Sequence, residues 1–146
     1  MTNHNIAIGS DHGGFALKEV IKEFVGDNGY EFTDFGVYNS EKADYPVIAK
    51  KIAHLVAESK FDRGILICGS GLGVAITANK VKGIRAVTCH DTYSSKMSRA
   101  HNNANILTMG GRVVGPDLAC DIVKIWLETE FEGGRHQARI DMIEEL

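Results

Sequence analysis

A thiol stands directly before a glycine-rich turn in Cys68-Gly69-Ser70-Gly71-Leu72-Gly73. The run before it, Ile65 to Ile67, is unbroken and apolar, which suits a strand buried on both faces. Val74, Ala75, Ile76 and Ala78 then begin a helical pattern. Strand, glycine turn and helix start together make an anion cradle. Glycines let backbone N–H groups approach a ligand, and the helix N-terminus adds partial positive charge. Such a place favours thiolate, so Cys68 is a candidate base or nucleophile. The plainer alternative is a small buried hydrophobe at a strand end.

Further candidates flank this stretch. Asp11-His12 follows the first apolar run, either as an acid–base pair or with Asp11 capping the next helix. His101 lies in a polar run, as a catalyst or as surface decoration. His4, His54 and His90 read as surface residues. Arg135 and Arg139 are one helical turn apart, so both guanidinium groups share a face and could grip a phosphate dianion. A solvated basic face is the alternative, weakened by Gly133-Gly134 shaping the helix start. Asp141, Glu144 and Glu145 lie toward the C-terminus, against the helix-dipole preference. Asp11, His12 and His101 have no tight ligand spacing, so no metal is expected. Trp126 and Phe131 read as packing.

Three familiar motifs fail on spacing. The dinucleotide fingerprint needs Gly or Ala where Val74 stands. Asp91 does lie at a plausible distance for a ribose contact, which leaves a dinucleotide-binding oxidoreductase as a rival. A cysteine-phosphatase loop needs Arg at the position of Val74, and the Gly-Lys-Ser/Thr of a nucleotide P-loop is absent.

The elements that must hold these residues alternate. Strands are predicted at 5–9, 30–35, 64–68, 85–89 and 106–109. Helices are predicted from Leu17 to Gly29, from Pro46 to Ser59, from Val74 to about Val81, from Thr92 to Ala100, from Asp117 to Glu128, and from Arg135 onward. Five alternations argue for a parallel sheet with helices on both faces. Ligands then bind at the carboxyl ends of the strands, where Asp11, His12, Cys68, Ser70, His90, Asp91 and Arg112 should share one edge.

Composition sets the outer bounds. The chain of 146 residues suits a single domain spanning 1–146. A net charge of −3 gives no reason to expect nucleic-acid or anionic-membrane partners. The three cysteines are odd in number and lack metal spacing, which suits a reducing compartment. The Met-Thr-Asn-His-Asn start is not a signal peptide and no apolar run could span a membrane, so a soluble cytoplasmic protein is expected.

Read in order, several motifs resemble one family. They are Ser-Asp-His-Gly-Gly at 10–14, Asp-Tyr-Pro at 44–46, Cys-Gly-Ser-Gly-Leu-Gly at 68–73, Ala-Asn-Lys at 78–80 and Gly-Ile-Arg-Ala at 83–86. Ser-Arg-Ala-His-Asn at 98–102, Gly-Gly-Arg at 110–112 and Gly-Gly-Arg-His-Gln-x-Arg at 133–139 follow. The ordered set covers nearly the whole chain and is similar to the type B ribose-5-phosphate isomerases, a family that includes galactose-6-phosphate isomerase subunits.

The resemblance implies an α/β fold: a Rossmann-like three-layer α/β/α sandwich with a five-stranded parallel sheet and a C-terminal helix. It implies a cofactor-free, metal-free aldose–ketose isomerase of the pentose phosphate pathway, a homodimer or dimer of dimers, acting on a sugar phosphate. It implies that Cys68 moves a proton between C1 and C2, and that His101 and Asp11 open the furanose ring. Ser70 and the backbone of Gly69, Gly71 and Gly73 would hold the enediolate. His12, Asn102, Arg112, Arg135 and Arg139 would bind substrate, mainly its phosphate. Some members carry Glu directly after the loop instead of the cysteine; with Cys68 and Val74, this chain resembles the cysteine branch. Ser70 stands where many of that branch have Thr and keeps the hydroxyl. A second rival is a sugar-phosphate sensor without turnover, which would have no need for Cys68.

Overall fold

The central strands are almost wholly apolar, and they are covered on both sides. The computed structural model describes residues 4–146, so the first three residues of the Met-Thr-Asn-His-Asn start lie outside the described residues. In chain order the elements are β1 (Asn5–Ser10), α1 (Phe15–Asp27), β2 (Glu31–Asp34), α2 (Tyr45–Ala57), β3 (Arg63–Cys68) and α3 (Leu72–Asn79). Then come β4 (Ala86–Thr88), α4 (Thr92–Ala100), β5 (Ile106–Gly110), α5 (Pro116–Glu128) and α6 (Arg135–Glu144). All strand pairs are parallel, in the order β2-β1-β3-β5-β4. This is the expected three-layer α/β/α arrangement with a C-terminal helix.

Side-chain alternation along β3 divides the core. Ile65 and Ile67 point to one face and join Leu17, Ile21 and Val25 of α1 with Ile122, Val123 and Trp126 of α5. Leu66 and Cys68 point to the other and join Ile52 and Val56 of α2 with Val74 and Ala78 of α3. Cys68 therefore lies on the α2/α3 side. Trp126 is fully buried, as its packing role requires, while Phe131 is half-buried.

The strand order places the reactive edge. From β1 the chain crosses outward to β2, then returns past β1 to β3, so β1 and β3 diverge at their carboxyl ends. Ser10 of β1 stands in register with Ile67 of β3. Asp11 and Cys68 thus flank the crevice at the switch point.

Some boundaries differ from expectation. Helix α3 begins at Leu72, two residues before Val74, because Gly71 turns the chain into it at φ 80°. A side chain at Gly71 would be strained there, and its Cβ would meet the Met109 carbonyl carbon at 2.7 Å. Strand β4 contracts to Ala86–Thr88, since the Arg85 N–H goes to the Asn105 side chain. Ser10 closes β1 instead of opening the turn.

Candidate active site

Cys68 is the last residue of β3 and is 4% exposed. Its Sγ accepts the Gly71 N–H at 3.1 Å. The loop behind that donor is held from below: the hydroxyls of Thr108 and Thr88 donate to the Gly71 carbonyl at 2.7 and 3.1 Å. The Gly111 N–H bonds the Cys68 carbonyl at 2.8 Å, and the Arg112 N–H bonds the Gly69 carbonyl at 3.1 Å. The loop thus has little freedom to move. Among the described residues the N–H groups of Ser70 and Gly73 have no acceptor, so both are available to a ligand.

A cleft of about 510 Å³ opens above the loop, lined by Asp11, Tyr45, Cys68, Gly69, Ser70, Gly73, Arg112 and Val113. Asp11 is 7% exposed, and one carboxylate oxygen accepts the Gly14 N–H at 3.1 Å. Asp11 thus closes the turn before α1 and does not cap the helix, whose N-cap is Gly14 with no side-chain cap. Ser70 is exposed, and its Oγ accepts the Leu72 N–H at 3.2 Å. Arg112 reaches back over Gly69, where an added Cβ would lie 3.1 Å from the guanidinium. His12 sits beside the cleft, and its Nδ1 accepts the Ala43 N–H at 3.1 Å. That acceptor leaves the proton of a neutral ring on Nε2.

Sequence reasoning misses Tyr45, and it places His90 at this edge only as a surface residue. Tyr45 lies so close over Gly73 that a side chain at that glycine would have to displace the Tyr45 ring. Its position in the Asp-Tyr-Pro motif was the available signal. His90, read as surface, is half-buried, and its Nε2 accepts the Gly110 N–H at 2.9 Å beside the loop. Asp91, the possible ribose contact, instead caps α4 by accepting the Ser94 N–H at 2.6 Å.

The remaining candidates lie elsewhere. Helix α4 starts at the carboxyl edge and returns to the amino edge, so His101, its C-cap, is carried away from Cys68. The Arg85 side chain, just before β4, donates to the Asn102 carbonyl at 3.1 Å and places that residue at the amino edge too. His101 stacks on His136, ring centroids 4.1 Å apart and planes 11° apart. Glu132 Oε1 lies 3.9 Å from His101 Nε2 and 3.5 Å from His136 Nε2. Burial, then the neighbouring His101 charge, pushes the His136 imidazole below the usual histidine range. These three residues are close enough to suggest a metal centre. Stacked rings, however, hold their in-plane lone pairs parallel, so the pair does not converge on one ion. Asp11 and His12 are not part of this group. Arg135 and Arg139, on the first turns of α6, are exposed and outside the cleft.

Residues 6–143 match the model of the ribose/galactose isomerase family. The ribose-5-P isomerase B of Listeria innocua is 50% identical over 141 residues, covering 97% of this chain and 95% of that one. The solved ribose-5-phosphate isomerase B of Clostridium thermocellum is 55% identical with a TM-score of 0.95, covering 97% and 95%. That of Mycoplasma genitalium, solved with bound ribulose-5-phosphate, is 41% identical with a TM-score of 0.93, covering 99% and 97%.

Proposed function

The chain belongs to the ribose/galactose isomerase family, and we propose that it interconverts ribose 5-phosphate and ribulose 5-phosphate through an enediolate, with Cys68 as the base. One observation carries the reading: Cys68 Sγ lies against the Gly71 N–H under a braced loop whose Ser70 and Gly73 N–H groups are unengaged. The Cys68 thiolate takes the proton from C2 of the open-chain aldose, and the resulting thiol returns it to C1. The pair left on C2 forms the C1=C2 bond and pushes the carbonyl pair onto O1. When C1 takes the proton, the O2–H pair becomes the C2 carbonyl and that hydroxyl proton passes to O1. The negative charge grows on oxygens facing the Ser70 and Gly73 N–H groups and the Ser70 hydroxyl. Donors held by a braced loop need little reorganisation.

Asp11 and His101 open the furanose ring by general acid–base transfer. His12, Asn102, Arg112, Arg135 and Arg139 hold the substrate, chiefly its phosphate. Within one chain this set is split between the two edges of the sheet. The reading therefore requires a homodimer or a dimer of dimers, in which a second copy brings His101, Arg135 and Arg139 to the first copy's Cys68. Exposed apolar residues support this: Leu72, Ile76 and Val113 lie near the loop, and Met142 and Ile143 lie on α6. The remote phosphate grip supplies binding energy that orients the reacting carbons. No helix among the described residues is long and apolar enough to cross a membrane. Three free thiols suit a cytoplasmic setting.

A coupled assay with ribose 5-phosphate, allose 6-phosphate and galactose 6-phosphate tests the reading. Highest kcat/KM on ribose 5-phosphate is expected. Absence of turnover on all three, with binding retained, would make the protein a sensor instead.

A further inference from the structure

Two buried arginines on the amino edge of the sheet have no part in the chemistry above. Arg63 opens β3 and is 8% exposed, and Arg99 lies in α4 and is 6% exposed. Both line a cavity of about 360 Å³, together with His4, Tyr30 and the segment from Leu127 to Phe131. Among the described residues neither arginine has a carboxylate within ion-pair distance. The contrast with Lys18 is direct. That ammonium is fully buried, and Asp34 lies 2.7 Å from it. Buried charges are ordinarily paired, because an isolated one forfeits its hydration.

Among the described residues each guanidinium hydrogen-bonds through one nitrogen, and Arg63 also lies over the Trp126 ring, 5.3 Å from its centroid. Arg63 Nη1 donates to the carbonyls of Trp126 at 3.0 Å and Leu127 at 3.4 Å. Arg99 Nη1 donates to Asn103 Oδ1 at 2.8 Å and to the Ala104 carbonyl at 2.6 Å. Arg99 Nε is buried and has no hydrogen-bond partner among the described residues. Burial, then the charges of Arg63 and Arg85, depresses the Arg99 guanidinium to about 10. His4, on the same wall, is pushed down by burial and then by Arg63. Asp62 acts on Arg63 and His4 through space, but among the described residues neither guanidinium has a carboxylate in direct contact.

We infer that this amino-edge cavity is a second anion site, taking a compact tetrahedral oxyanion such as phosphate, or the phosphoryl group of a small metabolite, between Arg63 and Arg99. Forked guanidinium donors match such an anion better than a halide. The carboxylates of Glu128 and Glu130 also line the cavity but are exposed. They select for an ion small enough to reach the arginines and against extended polyanions. The site is separate from the Cys68 cleft, with which it shares no lining residue.

The test uses the full chain. Crystals grown without phosphate or sulfate are soaked in selenate, whose anomalous signal locates it. A peak between Arg63 and Arg99 is expected, in addition to any peak at Arg112. In solution, inorganic phosphate is titrated by calorimetry into wild type, Arg99→Met and His4→Glu. The glutamate places a negative charge on the cavity wall without removing either arginine, so it serves even if Arg99→Met fails to fold. At least a tenfold loss of affinity for one of two phosphate sites per chain is expected in each folded variant, with isomerase KM unchanged in His4→Glu. Selenate found only at Arg112 overturns the proposal. So does a cavity peak combined with phosphate binding in His4→Glu identical to wild type, which would mean an adventitious ion only.

Discussion

The imidazole of His101 stacks on that of His136, 4.1 Å from centroid to centroid, on the sheet edge opposite Cys68. His136 is buried and held by α6, so the stack ties the orientation of His101 to the helix that carries Arg135 and Arg139. In the proposed dimer, a second copy would deliver all three to a Cys68 cleft as one unit.

That arrangement predicts complementation. Cys68→Ala and His101→Asn chains should each be nearly inactive alone. Mixed after mild dissociation, they should recover about a quarter of wild-type activity: random pairing makes about half the dimers mixed, each with one intact site. Recovery of no activity, with mixed dimers demonstrated by mass spectrometry, would place His101 and Cys68 in separate functions.

Cys68→Ala should keep the fold and the substrate affinity while turnover falls by about 10²–10⁴, the usual worth of a positioned base. Iodoacetamide should inactivate the wild type, with ribose 5-phosphate protecting. Cys89 should not react, since burial pushes its thiol up to about 11. Cys120 should be slow, because burial and then Asp117 and Asp121 raise it. The decisive readout is deuterium exchange from solvent into C1 or C2; wild-type exchange in Cys68→Ala would assign the base elsewhere.

Arg135→Ala and Arg139→Ala should each raise KM for ribose 5-phosphate and reduce discrimination against unphosphorylated ribose. A charge-assisted hydrogen bond is worth roughly 1.5–3 kcal/mol, so kcat/KM should fall on the order of ten- to a hundredfold. Unchanged kinetics in both would make the pair a solvated basic face.

Incubation with EDTA followed by assay should leave the rate unaltered. The His101–His136 stack would have to break before both rings could bind one ion. Loss of activity that a divalent cation restores would refute this.

Stability should have an acid limb centred on Asp34. Burial opposes its carboxylate charge, but the hydrogen bonds from Lys18 and Lys22 outweigh burial and hold it below the usual carboxylate range. A depressed folded-state pKa gives stability that is present above the unfolded value, near 4, and is lost as pH falls through the folded value. Asp34→Asn should remove that limb and leave the buried Lys18 ammonium with only Glu19, 3.6 Å away, costing up to about 3–5 kcal/mol in urea unfolding at neutral pH. An unchanged midpoint would show that Lys18 finds another partner.

The ordering of strands and helices was legible in the chain because each element has its own hydrophobic period and glycine or proline boundary. The cradle after Cys68 was legible for the same local reason: Gly71 must reverse the chain, and only a strand and a helix fit on either side of it. Other relationships depend on residues distant in sequence and have no local trace. The switch point between β1 and β3 arises from the order in which strands add to the sheet, which no single segment specifies. Tyr45 against Gly73, His90 on the Gly110 N–H, and Arg63 on the Trp126 and Leu127 carbonyls are all contacts across the fold. The separation of His101 from Cys68 is decided by topology alone. A parallel sheet makes α4 run back to the amino edge, so its last residue cannot stand where its first one does.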